Sequence, residues 1–565
     1  MFKNIKYHIL FFIFIFYVSF SFSKDKFQYQ IVPEISTSVN YYAEKKKIGK
    51  SEVIVTANKY ATDAGKYILE KGGNAADASV TVQLILGLVE PQSSGIGGGG
   101  FAIYYDKREK KIINYDGREK APRKINPKVF QDNNGQSKNF YDAVLGGKSV
   151  GVPGLIDMLY RIHSDYGILP WNKVVEPAIR LAENGFYPPN RLIKSLKREK
   201  YLWQIEESND FFKEIRDNPK KKILNPSYAQ TLSIISKNYR DFYEGSIAID
   251  IVDRVNSSHL NPGVLNLNDM ASYRSQKSNG ICTELKEIYF CGPDLPSSGG
   301  IAISQALFIY ENYRFLGSKT GFQNVLDILA FIYKERSLYM ADPEYEIIDY
   351  DYLLDKKKIL KRFDTYLKNK KEQIYSGSRT NFNSTSHFSI LDKYGNSISV
   401  TSSIENSFGS RLFVDGFLLN NQLTDFSFQS EENGKIKKNR VEGGKKPLSS
   451  MSPIIILDKK KDFIFSTGSP GGTAIIAYVL KTILDTIYNG IKPEESVRRG
   501  NFLKKSNKIY LEKERFNIKE IEKSISPKNK IIETPLTSGI AIIKKQNDHY
   551  IGVADFRRDG TVFAK

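Results

Sequence analysis

Residues 90–106 read "EPQSSGIGGGGFAIYYD", and the glycines at 95, 97 and 100 satisfy the G-x-G-x-x-G spacing of a dinucleotide-binding turn. Asp116 and Glu119 even lie near the distance at which that motif expects a ribose-binding acid. The flanking elements decide against it. Upstream, "YATDAGKYILEKGGNAADASVTVQLILGLVEP" (60–91) predicts two helices, the first closing at Gly72-Gly73 and the second running from an N-cap Asn74 to Val89, with Pro91 beyond its end. Downstream, "FAIYYD" and "KIINYD" alternate like paired strands joined by the charged turn "KREK". The glycines therefore lead from a helix into a strand. A dinucleotide fingerprint needs the reverse order, a strand feeding a helix whose N-terminus meets the pyrophosphate. A second phosphate-loop look-alike, "GGKSVGVPG" (146–154), fails because Asp142 stands where the first glycine is required.

Working outward, "SHFSILDKYGNSISVTSSI" (386–404) reads as a hairpin: Phe388 and Ile390 alternate with polar residues, Asp392 to Asn396 make the turn, and Ile398 and Val400 alternate on the return. "SPIIILDKKKDFIFSTGSP" (452–470) repeats the pattern, and a helix follows from about Thr473 to Asn489, closed by Gly490. From 155 to 375 the pattern is mostly helical, and residues 355–384 lose periodicity towards a Ser-, Asn- and Gly-rich end expected to be an exposed linker. Hairpins that each need a buried face, with helices before and after, predict an α+β fold of sheet packed on sheet inside outer helices.

At 565 residues, with 41% hydrophobic and 12% aromatic content, the chain is an ordinary folded protein and neither disordered nor collagen-like. It opens with Lys3 and Lys6 ahead of an apolar run from Ile9 to Phe22 and small residues at Ser21 and Ser23. That is the pattern of a secretory signal peptide (1–23), since a membrane span needs about 20 apolar residues. The mature chain is expected to begin near Lys24, with no stable membrane anchor and a periplasmic or secreted location. Net charge is +20, and +18 without Lys3 and Lys6, but the lysines fall in scattered short runs. Solvated loops explain such runs better than a nucleic-acid patch does, so no nucleic-acid partner is expected. Cys282 and Cys291 flank "TELKEIYF", either as a hairpin disulfide or as two buried thiols. With two Cys and five His in no metal-binding spacing, neither a metal nor a cofactor is expected.

Two stretches could carry chemistry, although on local pattern alone the glycines also suit a tight strand-to-helix turn and the Thr a plain strand edge. In "TGSPGGTAIIAYVL", Gly471 and Gly472 lie between a strand and a helix N-terminus, where unpaired N–H groups can hold an oxyanion. In "NSTSHFS", cutting the Ser384–Thr385 bond would give Thr385 a free α-amine of pKa about 7.7–8.0 beside its own hydroxyl, nucleophile and base in one residue.

The assembly "GGNAADA", "GGGGF", "DGREKAP", "PSSGG", "TSHFSILDKYGNSISVT", "FLLNNQLTDFS", "PLSSMSP" and "TGSPGG" resembles the γ-glutamyltranspeptidases of the N-terminal nucleophile hydrolase superfamily, from about residue 50 to 560. The resemblance implies a four-layer αββα sandwich built from one precursor that cuts itself at Ser384–Thr385. The products would be a large subunit (24–384) and a small one (385–565), held as a heterodimer. It implies transfer of the γ-glutamyl group of glutathione and similar small molecules to water or to an acceptor amino acid or dipeptide. Thr385 would be the nucleophile, Ser403 its hydroxyl partner, and Gly471 and Gly472 the oxyanion donors. Arg118, with Ser449 and Ser450, would bind the substrate α-carboxylate, and Asp425 the α-ammonium. Glu405 stands where many members have Asn, and a second carboxylate there still suits an ammonium. Residues 427–446 correspond to a lid that in many members places an aromatic over the site; an aromatic-free cover is expected here, favouring hydrolysis. The alternatives are a glutaryl (cephalosporin-type) acylase, a poly-γ-glutamate hydrolase, or an uncut member that binds anionic surfaces.

Overall fold

The computed structural model describes residues 45–315, 321–369 and 384–565. The apolar leader, the expected start near Lys24 and residues 370–383 of the stretch read as a linker lie outside the described residues. Fourteen strands build two sheets: β1 (Lys46–Gly49), β2 (Val53–Thr56), β3 (Gly99–Asp106), β4 (Lys111–Gly117), β5 (Gln276–Ser278), β6 (Ile281–Glu284), β7 (Tyr289–Gly292), β8 (Ser386–Leu391), β9 (Ser397–Ser403), β10 (Ile454–Leu457), β11 (Phe463–Gly468), β12 (Ala541–Gln546), β13 (His549–Ala554) and β14 (Thr561–Ala564). One sheet runs β14-β2-β8-β9-β3-β4-β5 and the other β1-β13-β12-β11-β10-β7-β6, with every pairing antiparallel. Strands from before and after residue 384 occur in both sheets, and β2 is seated between β14 and β8.

The period-2 patterns sort the side chains into layers. Val53, Val55, Ile103, Tyr105 and Leu391 of the first sheet pack against Ile455, Leu457, Phe463 and Ile543 of the second. Their strand neighbours point the other way. Ile54, Ala102, Tyr104, Phe388 and Ile390 meet the helices α1 (Lys59–Glu70), α2 (Ala75–Val89), α3 (Leu155–Tyr166) and α4 (Trp171–Asn184). Ile454, Ile456 and Phe465 meet α5 (Gly299–Phe315), α6 (Phe322–Tyr339), α7 (Lys356–Lys368) and α8 (Ile475–Ile483). The result is the expected four-layer αββα sandwich. Each fully buried large apolar side chain contributes about 1.5–3 kcal/mol to this core.

Local chemistry fixes the two elements that lead to the site. Asn74 accepts from the N–H groups of Ala76 and Asp77 while Asp77 accepts from Asn74 N, a reciprocal cap at the start of α2. Asp392 Oδ1 accepts from Tyr394 and Asn396 N–H in the β8–β9 turn, and its Oδ2 accepts from Ala75 N, tying that turn to α2. The glycine run does lead into β3, and its lack of side chains is required. A Cβ on Gly98 would lie 2.2 Å from Ser403 O at the end of β9.

Three readings are corrected. The stretch 155–375 contains three short strands, β5 to β7, and Cys282 and Cys291 face each other across β6–β7 as a disulfide. These strands are only three or four residues long and β5 is largely exposed, so no apolar run announces them. Part of the supposed linker is α7, which buries Ile359 and Phe363, and Ser384 is buried. The last helix is regular over 475–483 and widens to a π turn at 484–488, with Asn489 N donating to Leu484 O. Among the described residues no helix is long and apolar enough to cross a membrane.

Candidate active site

Strand pairing sets the centre of the site. Ser386 of β8 is opposite Ser402 of β9, so the residues just beyond, Thr385 and Ser403, lie side by side, with hydroxyl oxygens 3.3 Å apart. Ser403 Oγ donates to the carbonyl oxygen of Ser384 at 2.9 Å and accepts from Glu405 N at 2.9 Å. A hydroxyl has one proton. With that proton on the Ser384 carbonyl, Ser403 can only accept from Thr385. Arg558 Nη1 donates to Thr385 O at 2.7 Å, fixing the peptide that follows the Ser384–Thr385 bond.

Thr385 and Ser403 open on a recess that also takes in Arg118, Glu405, Asp425, Ser449, Ser450 and Gly472. These residues come from the end of β4, the segment after β9, a 3₁₀ turn at Gln422–Asp425, the approach to β10 and the turn after β11. Gly471 is one residue removed, at φ +133°, and a Cβ there would lie 2.6 Å from the ring of Tyr478. Gly472 and Thr473 open the 3₁₀ turn Gly472–Ala474, so their N–H groups have no partner within it.

Charge within the recess is divided. Arg118 is fully buried: its Nη2 donates to Asp425 Oδ2 at 2.7 Å and its Nε to Pro447 O at 2.9 Å. Among the described residues its Nη1 has no hydrogen-bond acceptor, and the buried hydroxyl of Ser450 neither donates nor accepts a hydrogen bond. Two buried donors without acceptors are suited to an arriving carboxylate. Asp425 is 26% exposed and therefore reachable. Gln422 donates to it through Nε2 at 2.8 Å, leaving Gln422 Oε1 as a buried acceptor without a donor. That pair is suited to an ammonium. Ser449 bonds locally instead, accepting from Met451 N.

Two further carboxyls are shifted. Burial pushes Glu405 well above the ordinary carboxylate range, the charge of Asp425 adding to the effect, while Asn421 donates to its Oε2 at 2.6 Å. Glu405 also holds φ +77°, so backbone strain is stored at the rim of the recess. Burial raises Glu119 to about 8, although Arg118 Nη1 lies 3.6 Å away, and neither of its oxygens has a hydrogen bond.

Gln422, Thr473 and Arg336 were not singled out from the sequence as site residues, and Glu119 was met there only as an acid of the rejected dinucleotide motif. Gln422 had a signal, its three-residue spacing from Asp425. Arg336 had none beyond a lone arginine in "FIYKERSLYM". The expectation of an aromatic-free cover is also corrected: residue 428 is Phe, stacked on Phe130 with centroids 4.6 Å apart and absent from the recess wall. The cover reaches the site through Asn439, whose Nδ2 donates to Asp425 O at 2.8 Å.

The sequence profile described as Gamma-glutamyltranspeptidase matches residues 61–564. The chain belongs to this family. It is similar to the glutathione hydrolase proenzyme of Bacillus subtilis (strain 168), at 30% identity over 93% of this chain and 95% of that one. It is likewise similar to the glutathione hydrolase proenzyme of Escherichia coli (strain K12), at 33% identity over 80% of this chain and 81% of that one. In fold it matches the crystal structure of cephalosporin acylase from Bacillus halodurans, with TM-score 0.79 and 21% identity over 93% of this chain and 97% of that one. Family membership and the αββα sandwich thus agree.

Proposed function

We propose that the chain is a self-cleaving γ-glutamyl hydrolase and transferase, cut at Ser384–Thr385, with Thr385 as its nucleophile. One observation carries the reading. A single recess beside the Thr385 hydroxyl holds two buried donors without acceptors, Arg118 Nη1 and Ser450 Oγ, and an acceptor pair, Asp425 and Gln422 Oε1. A γ-glutamyl head carries one carboxylate and one ammonium on the same carbon and needs that pairing.

Connectivity permits self-cleavage. Thr385 Oγ1 and the carbonyl carbon of Ser384 are joined through N, Cα and Cβ, so attack closes a five-membered ring. The C–O bond forms, the C–N bond breaks, and the nitrogen takes a proton to become the Thr385 amine. Water then hydrolyses the ester, leaving a carboxylate on Ser384 and a hydroxyl on Thr385. The Ser403 hydroxyl, already on the Ser384 carbonyl, stabilises the oxyanion of the first step.

In turnover the Thr385 amine takes the proton of its own hydroxyl as the oxygen attacks the substrate γ-carbonyl. The N–H groups at the Gly471–Gly472 turn hold the oxyanion, and the amine leaves with the proton. Water or an acceptor amine then attacks the γ-glutamyl ester. Once the Ser384 carbonyl is gone, the Ser403 proton is available to Thr385 Oγ1.

The Arg118–Asp425 pairing argues against a glutaryl substrate, which has no ammonium for Asp425. The leader sequence supports export, and with it a mature protein of two fragments, 24–384 and 385–565. Mass spectrometry of purified protein is expected to find a new N-terminus at Thr385, together with turnover of a γ-glutamyl anilide. A single uncut chain refutes the reading.

A further inference from the structure

Arg336 adds a further cation to the recess just described, close enough to Asp425 and Arg118 to feel both charges. It lies on α6 at the recess wall, half-buried, and among the described residues its side chain makes one hydrogen bond, Nε to Ser298 Oγ at 2.9 Å. Ser298 Oγ in turn donates to Ser449 O at 2.7 Å, which fixes the stem of the guanidinium and leaves both terminal nitrogens open. Among the described residues no carboxylate lies within 4 Å of it. One turn earlier on α6, Tyr333 donates to Thr473 O at 2.5 Å, and Lys505 Nζ donates to Thr473 Oγ1 at 2.6 Å. Arg336 and Lys505 therefore border the glycine turn, on the side where the carbonyl under attack must sit.

A charge count shows what is missing. The γ-glutamyl head brings one negative and one positive charge, which Arg118 and Asp425 answer. Glu405, pushed up by burial, adds no compensating negative charge near neutrality. The positive charge of Arg336 is left over; Lys505, held down to about 7 by burial and by Arg336, is the weaker cation, and Arg336 offers the planar fork of donors that suits a carboxylate.

We infer that Arg336 binds the α-carboxylate of the amino acid on the amine side of the scissile γ-amide, selecting leaving groups and acceptors that carry a carboxylate next to the reacting nitrogen. This rests on the γ-glutamyl reading above. In γ-amide cleavage the nitrogen departs with its α-carbon, so a carboxylate there leaves beside Arg336, and an incoming amino acid is held the same way.

The test compares kcat/KM for γ-glutamylglycine and γ-glutamylglycinamide, leaving groups that differ only in that carboxylate. The self-cleaved wild-type protein is expected to favour the acid about tenfold, the worth of one charge-assisted hydrogen bond. Arg336→Gln is expected to bring the ratio to about one, and Arg336→Lys, which keeps the charge without the fork, to an intermediate value. A wild-type ratio of one, or a ratio unchanged in Arg336→Gln, overturns the inference. The wild-type ratio decides even where Arg336→Gln fails to fold. Failure of the wild type on a γ-glutamyl anilide refutes the γ-glutamyl reading and the inference with it.

Discussion

Replacing Ser403 with Ala tests the arrangement at the scissile peptide most directly. In the uncut chain this hydroxyl donates to Ser384 O, accepts from Glu405 N, each at 2.9 Å, and lies 3.3 Å from Thr385 Oγ1. The first contact is to the oxygen that becomes negative when Thr385 attacks, so its loss is expected to slow self-cleavage about 10²–10³-fold, the usual cost of one oxyanion donor. The second contact affects stability: Glu405 N is left without an acceptor in a buried setting, at about 1–3 kcal/mol. The two effects separate experimentally. A denaturing-gel time course reads the rate at which the uncut chain disappears, and thermal melting reads the stability loss. Ser403→Thr keeps the hydroxyl and is expected to cleave near the wild-type rate. A folded Ser403→Ala protein that cleaves within about threefold of wild type refutes the role given to this hydroxyl, because that leaves under 1 kcal/mol for the contact.

Asp425→Asn is expected to lower kcat/KM on a γ-glutamyl anilide about 10–100-fold while sparing a glutaryl anilide, since only the former presents an ammonium; equal losses on both count against the pairing. Glu119, ordinarily near 4.5, sits at about 8 in the fold because it is buried. The folded state therefore holds a proton that the unfolded chain has lost, and stability falls as pH rises from about 4.5 to 8. Melting temperatures of Glu119→Gln across that window are expected to fall less steeply than those of wild type; parallel curves contradict the assignment. Cys282 and Cys291 are expected to resist thiol reagents until reduced, and reduction to lower stability by about 2–3 kcal/mol, read by chemical denaturation.

The αββα layering was legible wherever a strand is long and buried on both sides. Phe388 with Ile390 and Ile398 with Val400 marked a core hairpin, and helix-to-strand order around Gly95–Gly100 excluded a nucleotide fold without any structure. The β6–β7 hairpin was one of two readings left open for Cys282 and Cys291, while β5 was not legible, because three largely exposed residues at a sheet edge carry too few buried positions to set a period. At the site, residues inside motif-dense stretches were found and an isolated one was not. Arg118, Asp425 and Ser450 come together much as the motifs implied, although the orphaned Arg118 Nη1 and Ser450 Oγ became visible only with coordinates. Arg336 lies more than 200 residues from Arg118 and 49 residues before Thr385 in sequence, so only the stacking of α6 on the second sheet brings it to the recess.

The seating of β2 between β14 and β8 has a consequence for timing. The two fragments proposed above each supply strands to both sheets, so neither would carry a complete hydrophobic layer of its own. On that proposal the peptide bond at 384–385 is a temporary tether, needed while the chain folds and discarded afterwards. The cut cannot usefully precede folding, because the hydroxyls that perform it meet only when β8 and β9 are already paired. A molecule that unfolds after the proposed cut has lost the tether that guided its first assembly.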